Sequence, residues 1–198
     1  MIISDTGNGT YEQLDEGMYP AIAVLIAGVG TQRTPFKNDD GTDKVQKKMI
    51  VQWETEKGLI AKEYTVSLNE KANLRKDLES WRGKRFTDEE LKGFDMSTLL
   101  GKGCTIQVMH NDNGYAKVAN VLPVTNKDFK AKKPAILFDI DNYKDVDLDK
   151  LPAWIQKKVN ESFEAREKSG KVVATEEFSH KDIPTDLDEQ ISLADVPF

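Results

Sequence analysis

The sequence predicts a mainly β chain: five strands with a helix between the third and fourth, then a C-terminal helix and an acidic tail. Three observations predict it. Short apolar segments separated by turn residues recur through residues 18–124. The clearest helical period in that region falls between the third and fourth of them. Beyond residue 168 the chain becomes polar and acidic, with too little apolar surface to hold a fold.

Met1 to Gly17 has no period and many turn formers, and reads as a flexible arm. Met18 to Gln32 is the first strand, and Gly28 and Gly30 near its end predict a bulge or sharp bend. Arg33 to Lys44, with Pro35, Asn38, Asp39, Asp40 and Gly41, reads as a long loop. Lys47 to Thr55 and Leu59 to Leu68 are the second and third strands, joined tightly through Glu56-Lys57-Gly58. Asn69 is placed to cap a helix reaching Arg82, with Leu74, Leu78 and Trp81 on one stripe and Gly83 as its terminator. Thr87-Asp88-Glu89-Glu90 spells a capping box for a short second helix. Gly103 to Asn111 and Gly114 to Val124 are the fourth and fifth strands, turned by Asn111-Asp112-Asn113-Gly114. The order β-β-β-α-β-β, with a long bent first strand, is that of a five-stranded OB-fold barrel.

Past Val124 lies a basic linker with Lys127, Lys130, Lys132 and Lys133. Ala135 to Ile140 has the pattern of one more strand. Asp149 and Pro152 start a helix to Lys168 whose apolar face is Leu151, Trp154, Ile155, Val159, Ser162 and Phe163. That face predicts packing against the barrel, with an oligomer contact as the alternative. The domain reading is therefore an arm at 1–17, an OB-fold domain at 18–133, a helical extension at 134–168 and a disordered acidic tail at 169–198.

The formal net charge of −6 argues at first against a nucleic-acid binder. The charge is divided unevenly. Residues 1–133 hold 20 Lys+Arg against 19 Asp+Glu, whereas residues 134–198 hold 8 against 15. The acidity belongs to the C-terminal third, and a near-neutral barrel binds DNA where its cations share a face. No apolar run approaches membrane-spanning length, and no basic-then-apolar leader opens the chain, so a cytoplasmic protein without membrane contact is expected. Cys104 is the only cysteine and lies in an apolar stretch, which predicts a buried thiol. With two distant histidines, His110 and His180, no zinc site is expected.

Catalytic patterns are missing. Leu100-Gly-Lys-Gly-Cys-Thr105 lacks the upstream glycine of a phosphate loop. Asp139, Asp141, Asp145, Asp147 and Asp149 alternate like a calcium loop but lack its sixth-position glycine, so they read as a solvated acidic loop. No enzyme, metal or cofactor is expected; a Mg²⁺-dependent nuclease using these carboxylates is the enzymatic alternative. Binding is better supported. A single-strand binder needs cations for phosphates and aromatic faces for bases, and an OB-fold carries them on its second and third strands and adjoining loops. Arg33, Lys37, Lys47, Lys48, Lys62 and Lys117 are the phosphate candidates, and Phe36, Trp53, Tyr64 and Tyr115 the stacking candidates. Alternation puts Met49, Val51 and Trp53 on one face of the second strand, opposite Lys48, Ile50 and Gln52. Trp53 therefore has two readings, a core ring and a stacking ring. Lys62 and Tyr64 share a face, assigned to the groove. Arg75, Lys76, Arg82, Lys84 and Arg85 form a second basic group whose default is a solvated helix face.

The chain ends Ser-Leu-Ala-Asp195-Val196-Pro197-Phe198, an apolar tip with acids upstream at 186, 188 and 189. This ending resembles that of bacterial and phage single-stranded DNA-binding proteins, whose tails finish Asp-Asp-Asp-Ile-Pro-Phe. Asp195, Val196, Pro197 and Phe198 match the last four positions, with Val for Ile, while Leu193 and Ala194 replace two acids. The segments Thr31-Gln-Arg-Thr-Pro-Phe36 and Leu99-Leu-Gly-Lys-Gly-Cys104 also resemble a phage-encoded branch of that family. The resemblance implies a non-catalytic protein that coats single-stranded DNA in phage replication or recombination. It also implies that the tip recruits replication and recombination enzymes, and that it competes with DNA for the groove. The alternative is an acidic module that mimics DNA and sequesters a host enzyme.

Overall fold

Residues 21–29 hold only apolar side chains and one glycine, and the computed structural model, which describes residues 13–143 and 145–169, shows why. They form the middle of β1 (Gly17–Lys37), a strand covered on both faces and paired on both edges. Antiparallel β2 (Asp43–Thr55) follows one edge. The other edge is shared: antiparallel β4 (Gly103–His110) takes Gly17 to Ile22, and parallel β6 (Ile136–Asp139) takes Leu25 to Gly28. With β3 (Gly58–Thr65) beside β2 and β5 (Ala116–Leu122) beside β4, the sheet order is β3-β2-β1-β4-β5. A mainly β chain with a predominantly antiparallel sheet and C-terminal helices is thus as expected. Across the two ends of that order, Lys62 Nζ of β3 donates to the Ala119 carbonyl of β5 at 3.3 Å.

Alternation along β1, reset by a register shift between Ala23 and Leu25, feeds two cores. Ala23 and Ile26 join Met49, Val51, Trp53, Tyr64, Ile106 and Val121 on one face. Leu25, Ala27 and Val29 join Ile50 and the C-terminal extension on the other. The β1–β2 register shifts between Gly28 and Gly30, where the sequence places its bend. Gly30 has φ +77°, and a Cβ there would lie 2.6 Å from both Glu164 Oε2 and Ile140 Cδ1. Only glycine satisfies both the backbone and the close approach.

The expected loop at 33–44 is instead the end of a hairpin. β1 continues to Lys37 and β2 begins at Asp43, leaving 38–42 as the turn, closed by Asn38 N–H to the Thr42 carbonyl at 2.9 Å. Asp43 carries the difference: it is paired in register with Lys37 and bonded by both Arg33 and Lys37, so opposite charges stabilise strands whose residues have low β propensity.

Helix α1 (Asn73–Arg82) buries Leu74, Leu78 and Trp81 and ends at Gly83 with φ 67°, as the pattern requires. Its start differs. Asn69 Oδ1 accepts from Lys71 N–H in a local turn, and the helix begins later, at an uncapped Ala72. The capping box of Thr87 and Glu90 opens α2 (Asp88–Lys92). A 3₁₀ turn (Met96–Leu99) leads into β4. Cys104 is buried there, and burial pushes its thiol pKa up to about 12. Arg75 pairs with Glu79, Lys84 and Arg82 pair with Glu90, and Arg82 lies over the rings of Phe86 and Phe94. Of these, Arg82 is the one whose contacts hold the 84–94 segment on α1.

The arm expected over 1–17 is anchored from Gln13 onward. Leu14 enters the first core, Gln13 Oε1 accepts from Ala116 N–H, and Glu16 Oε1 accepts from His110 N–H. After β6 come α3 (Asp145–Leu148), α4 (Ala153–Glu161) and α5 (Phe163–Lys168). The single helix expected to Lys168 is broken at Ser162, which is extended and fully buried. Its Oγ donates to the Val159 carbonyl at 2.7 Å and accepts from Ala165 N–H at 3.1 Å, so one hydroxyl closes α4 and opens α5. Leu151, Ile155 and Val159 pack with Phe138 and Ile140 onto β1, so these three residues of the apolar face lie against the sheet. The tail expected to be disordered and its tip, Asp195 to Phe198, lie outside the described residues. No helix among the described residues is long and apolar enough to cross a membrane.

Candidate nucleic-acid interface

The β1–β2 hairpin rises beside β3, and α4 stands across from it. Between them runs an open groove of about 470 Å³. The end of β1 supplies Arg33 and Phe36, β2 supplies Gln46 and Lys48, β3 supplies Glu63, and α4 supplies Trp154, Lys157, Lys158 and Glu161. Four cations thus face two carboxylates. Phe36 is 65 % exposed, and the backbone that carries it is held by Thr34, whose hydroxyl donates to the Lys44 carbonyl at 3.0 Å. The ring is therefore offered to solvent from a pinned strand end, and its burial by a partner is favourable.

A second cleft of about 160 Å³ shares Gln46, Lys48 and Glu63 with the first and continues past Lys62 and Thr65 to Asn69 and Lys71. Lys48 sits where they meet, its Nζ donating to Thr65 Oγ1 at 2.9 Å. Arg33, Phe36 and Lys48 are brought together by this surface. Lys37 lies on the same hairpin, paired with Asp43, while Lys47 turns to Asp141 at 2.8 Å. Tyr115 and Lys117 belong to the β4–β5 hairpin and line neither cleft. Tyr115 is nonetheless 62 % exposed.

Two stacking candidates are corrected. Trp53 is 1 % exposed and packs at 6.1 Å, ring centre to ring centre, against Trp81 in the first core. Tyr64 is 3 % exposed, and its hydroxyl donates to Asp77 Oδ2 at 2.7 Å. Burial, and then the Asp77 charge, pushes the Tyr64 pKa far above its ordinary value. Lys62 shares Asp77 at 2.7 Å and lies over the Tyr64 ring at 5.3 Å. The shared face of Lys62 and Tyr64 is real, but it is the inner face beneath α1. Both still line the second cleft, Lys62 as a half-buried, paired ammonium and Tyr64 as a buried ring bonded to Asp77.

The sequence also hid part of the groove. Trp154 was assigned to the apolar face of its helix, yet it is 44 % exposed while Ile155 is buried. Lys157 and Lys158 carried no motif. The available signal was the helical spacing of Trp154, Lys157 and Lys158, which puts them on one face once Ile155 and Val159 are known to point inward.

Asp139, Asp141 and Asp147 are spent on local bonds and on Lys47 and Lys150. Among the described residues no group of three His, Cys, Asp or Glu side chains stands where it could hold a metal ion. Sequence comparison finds no matching family model and no matching curated protein.

Proposed function

We propose that the chain is a sequence-tolerant single-stranded DNA-binding protein built on an OB-type barrel. The strand order, and the bond from Lys62 of β3 to the Ala119 carbonyl of β5, support closure of the sheet into that barrel. The groove beside the β1–β2 hairpin carries the functional reading. It presents an exposed aromatic ring, Phe36, among Arg33 and Lys48, which is the combination a single strand needs. Arg and Lys neutralise phosphates without reading sequence, and a ring stacks on any base.

The resemblance of the C-terminal ending supports DNA as the nucleic acid and phage replication or recombination as the setting. In this reading Phe198 fills a pocket on a partner enzyme, while Asp195 meets its cations. Charge reversal tests the groove. Lys48→Glu combined with Arg33→Glu is expected to weaken oligo-dT binding at least tenfold. Binding that survives this variant unchanged would contradict the proposed surface, and absence of oligo-dT binding by the wild type would favour the acidic interaction module, which needs no basic groove.

A further inference from the structure

We infer that α4 is the second wall of a base-binding slot, and that Trp154 on it, with Phe36 opposite, makes the surface selective for unpaired bases. The inference rests on the single-strand reading above and extends it to a part of the chain outside the barrel.

The wall is held rigidly. Ile155 and Val159 are fully buried in the second core. Gln32 Nε2 donates to the Lys158 carbonyl at 2.9 Å, tying α4 to β1, and the Lys158 ammonium pairs with Glu63 on β3. The packing of α4 is satisfied without Trp154, which remains substantially exposed and turned to the groove that Phe36 lines from the other side. A tryptophan left in water on a well-anchored helix costs hydrophobic free energy that a bound ring recovers. Its neighbours include four cations, Lys157 and Lys158 from the wall and Arg33 and Lys48 from the sheet, with Glu161 and Glu63 pairing the two on the wall.

The occupant this chemistry fits is an unpaired nucleobase with its phosphate. In a duplex each base is stacked on its neighbours and paired, so no ring face is available to Phe36 or Trp154. A duplex can satisfy only the cations. The two aromatic walls therefore separate single from double strands, whereas the cations alone do not.

Trp154 is also the exposed one of three tryptophans, since Trp53 and Trp81 are core residues. Oligo-dT is expected to quench the protein's fluorescence, and Trp154→Phe is expected to abolish most of that quenching while keeping affinity within a few fold. Trp154→Leu, which retains apolar cover on α4 but no aromatic face, is expected to weaken oligo-dT binding by roughly 5- to 150-fold, the range for one stacked base. Phe36→Leu should act similarly, and duplex binding should change less than twofold in both. If wild type binds oligo-dT but Trp154→Leu, with an unchanged melting temperature, binds it equally well, the second wall is wrong and the single-strand reading stands. If wild type does not bind oligo-dT, both fall. If Trp154→Leu melts early, Trp154→Phe decides: retained affinity with lost quenching supports the slot, and retained quenching overturns it.

Discussion

Glu164 of α5 accepts both the backbone N–H of Thr31, at 2.8 Å to Oε2, and its hydroxyl, at 2.8 Å to Oε1. One carboxylate thereby satisfies the strand edge exposed by the Gly30 bend and docks the helical extension on β1. Glu164→Ala leaves that N–H without its partner and should cost about 1–3 kcal/mol. Thermal unfolding checks it, with a lower melting temperature expected. Gly30→Ala should lower it further, because the added methyl meets Glu164 and Ile140 in a left-handed backbone.

Trp53 and Tyr64 are core residues, and the proposed reading assigns them to stability. Trp53 Nε1 has no hydrogen-bond acceptor among the described residues, so Trp53→Phe removes core volume and little else. It should destabilise by about 1–3 kcal/mol in urea unfolding. Tyr64→Phe strips Asp77 of one donor and should cost about 1 kcal/mol. Neither should change oligo-dT affinity beyond twofold; a tenfold loss in a folded variant would put these rings back in the interface.

Cys104 gives a clock for opening of the first core. A thiol held at about 12 has almost no thiolate at pH 8, so disulfide-exchange reagents should label it only as fast as the core opens. The expected labelling is slow in buffer and immediate in denaturant. Fast labelling of the folded protein would contradict the placement of β4.

Acid should loosen the α1–α2 region. The Phe86 N–H bond and then Arg75 hold Glu79 below the usual carboxylate range, and the Thr87 N–H bond and then Lys84 and Arg82 do the same for Glu90. Depressed carboxylates in the folded state mean that unfolding takes up protons. Their stabilisation is present above the ordinary carboxylate pKa and is lost as pH falls below it. Urea midpoints at pH 7 and pH 3 should differ less in Glu79→Gln than in wild type.

Local chemistry was legible in the sequence. Gly83 had to end α1, Thr87 and Glu90 had to cap α2, and the apolar run at 21–29 had to lie in a strand. What needed three dimensions was which side of each strand is inside. Alternation put Lys62 and Tyr64 together correctly, but only the position of Asp77 on α1 shows that their face is covered. The helix expected to end at Lys168 concealed Ser162, whose break depends on a buried hydroxyl that periodicity cannot register. Trp154 was misassigned for a related reason: adjacent bulky residues at 154 and 155 both fit an apolar stripe, and the second core has room for Ile155.

The central claim is discrimination between strands, and one titration addresses it most directly. Labelled oligo-dT and a duplex of equal length are titrated with the full chain at two salt concentrations. The account predicts tighter binding of oligo-dT at both, with log K falling as log salt rises at about −0.7 per neutralised phosphate. Equal affinity for the duplex, or no binding of oligo-dT at low salt, would contradict it.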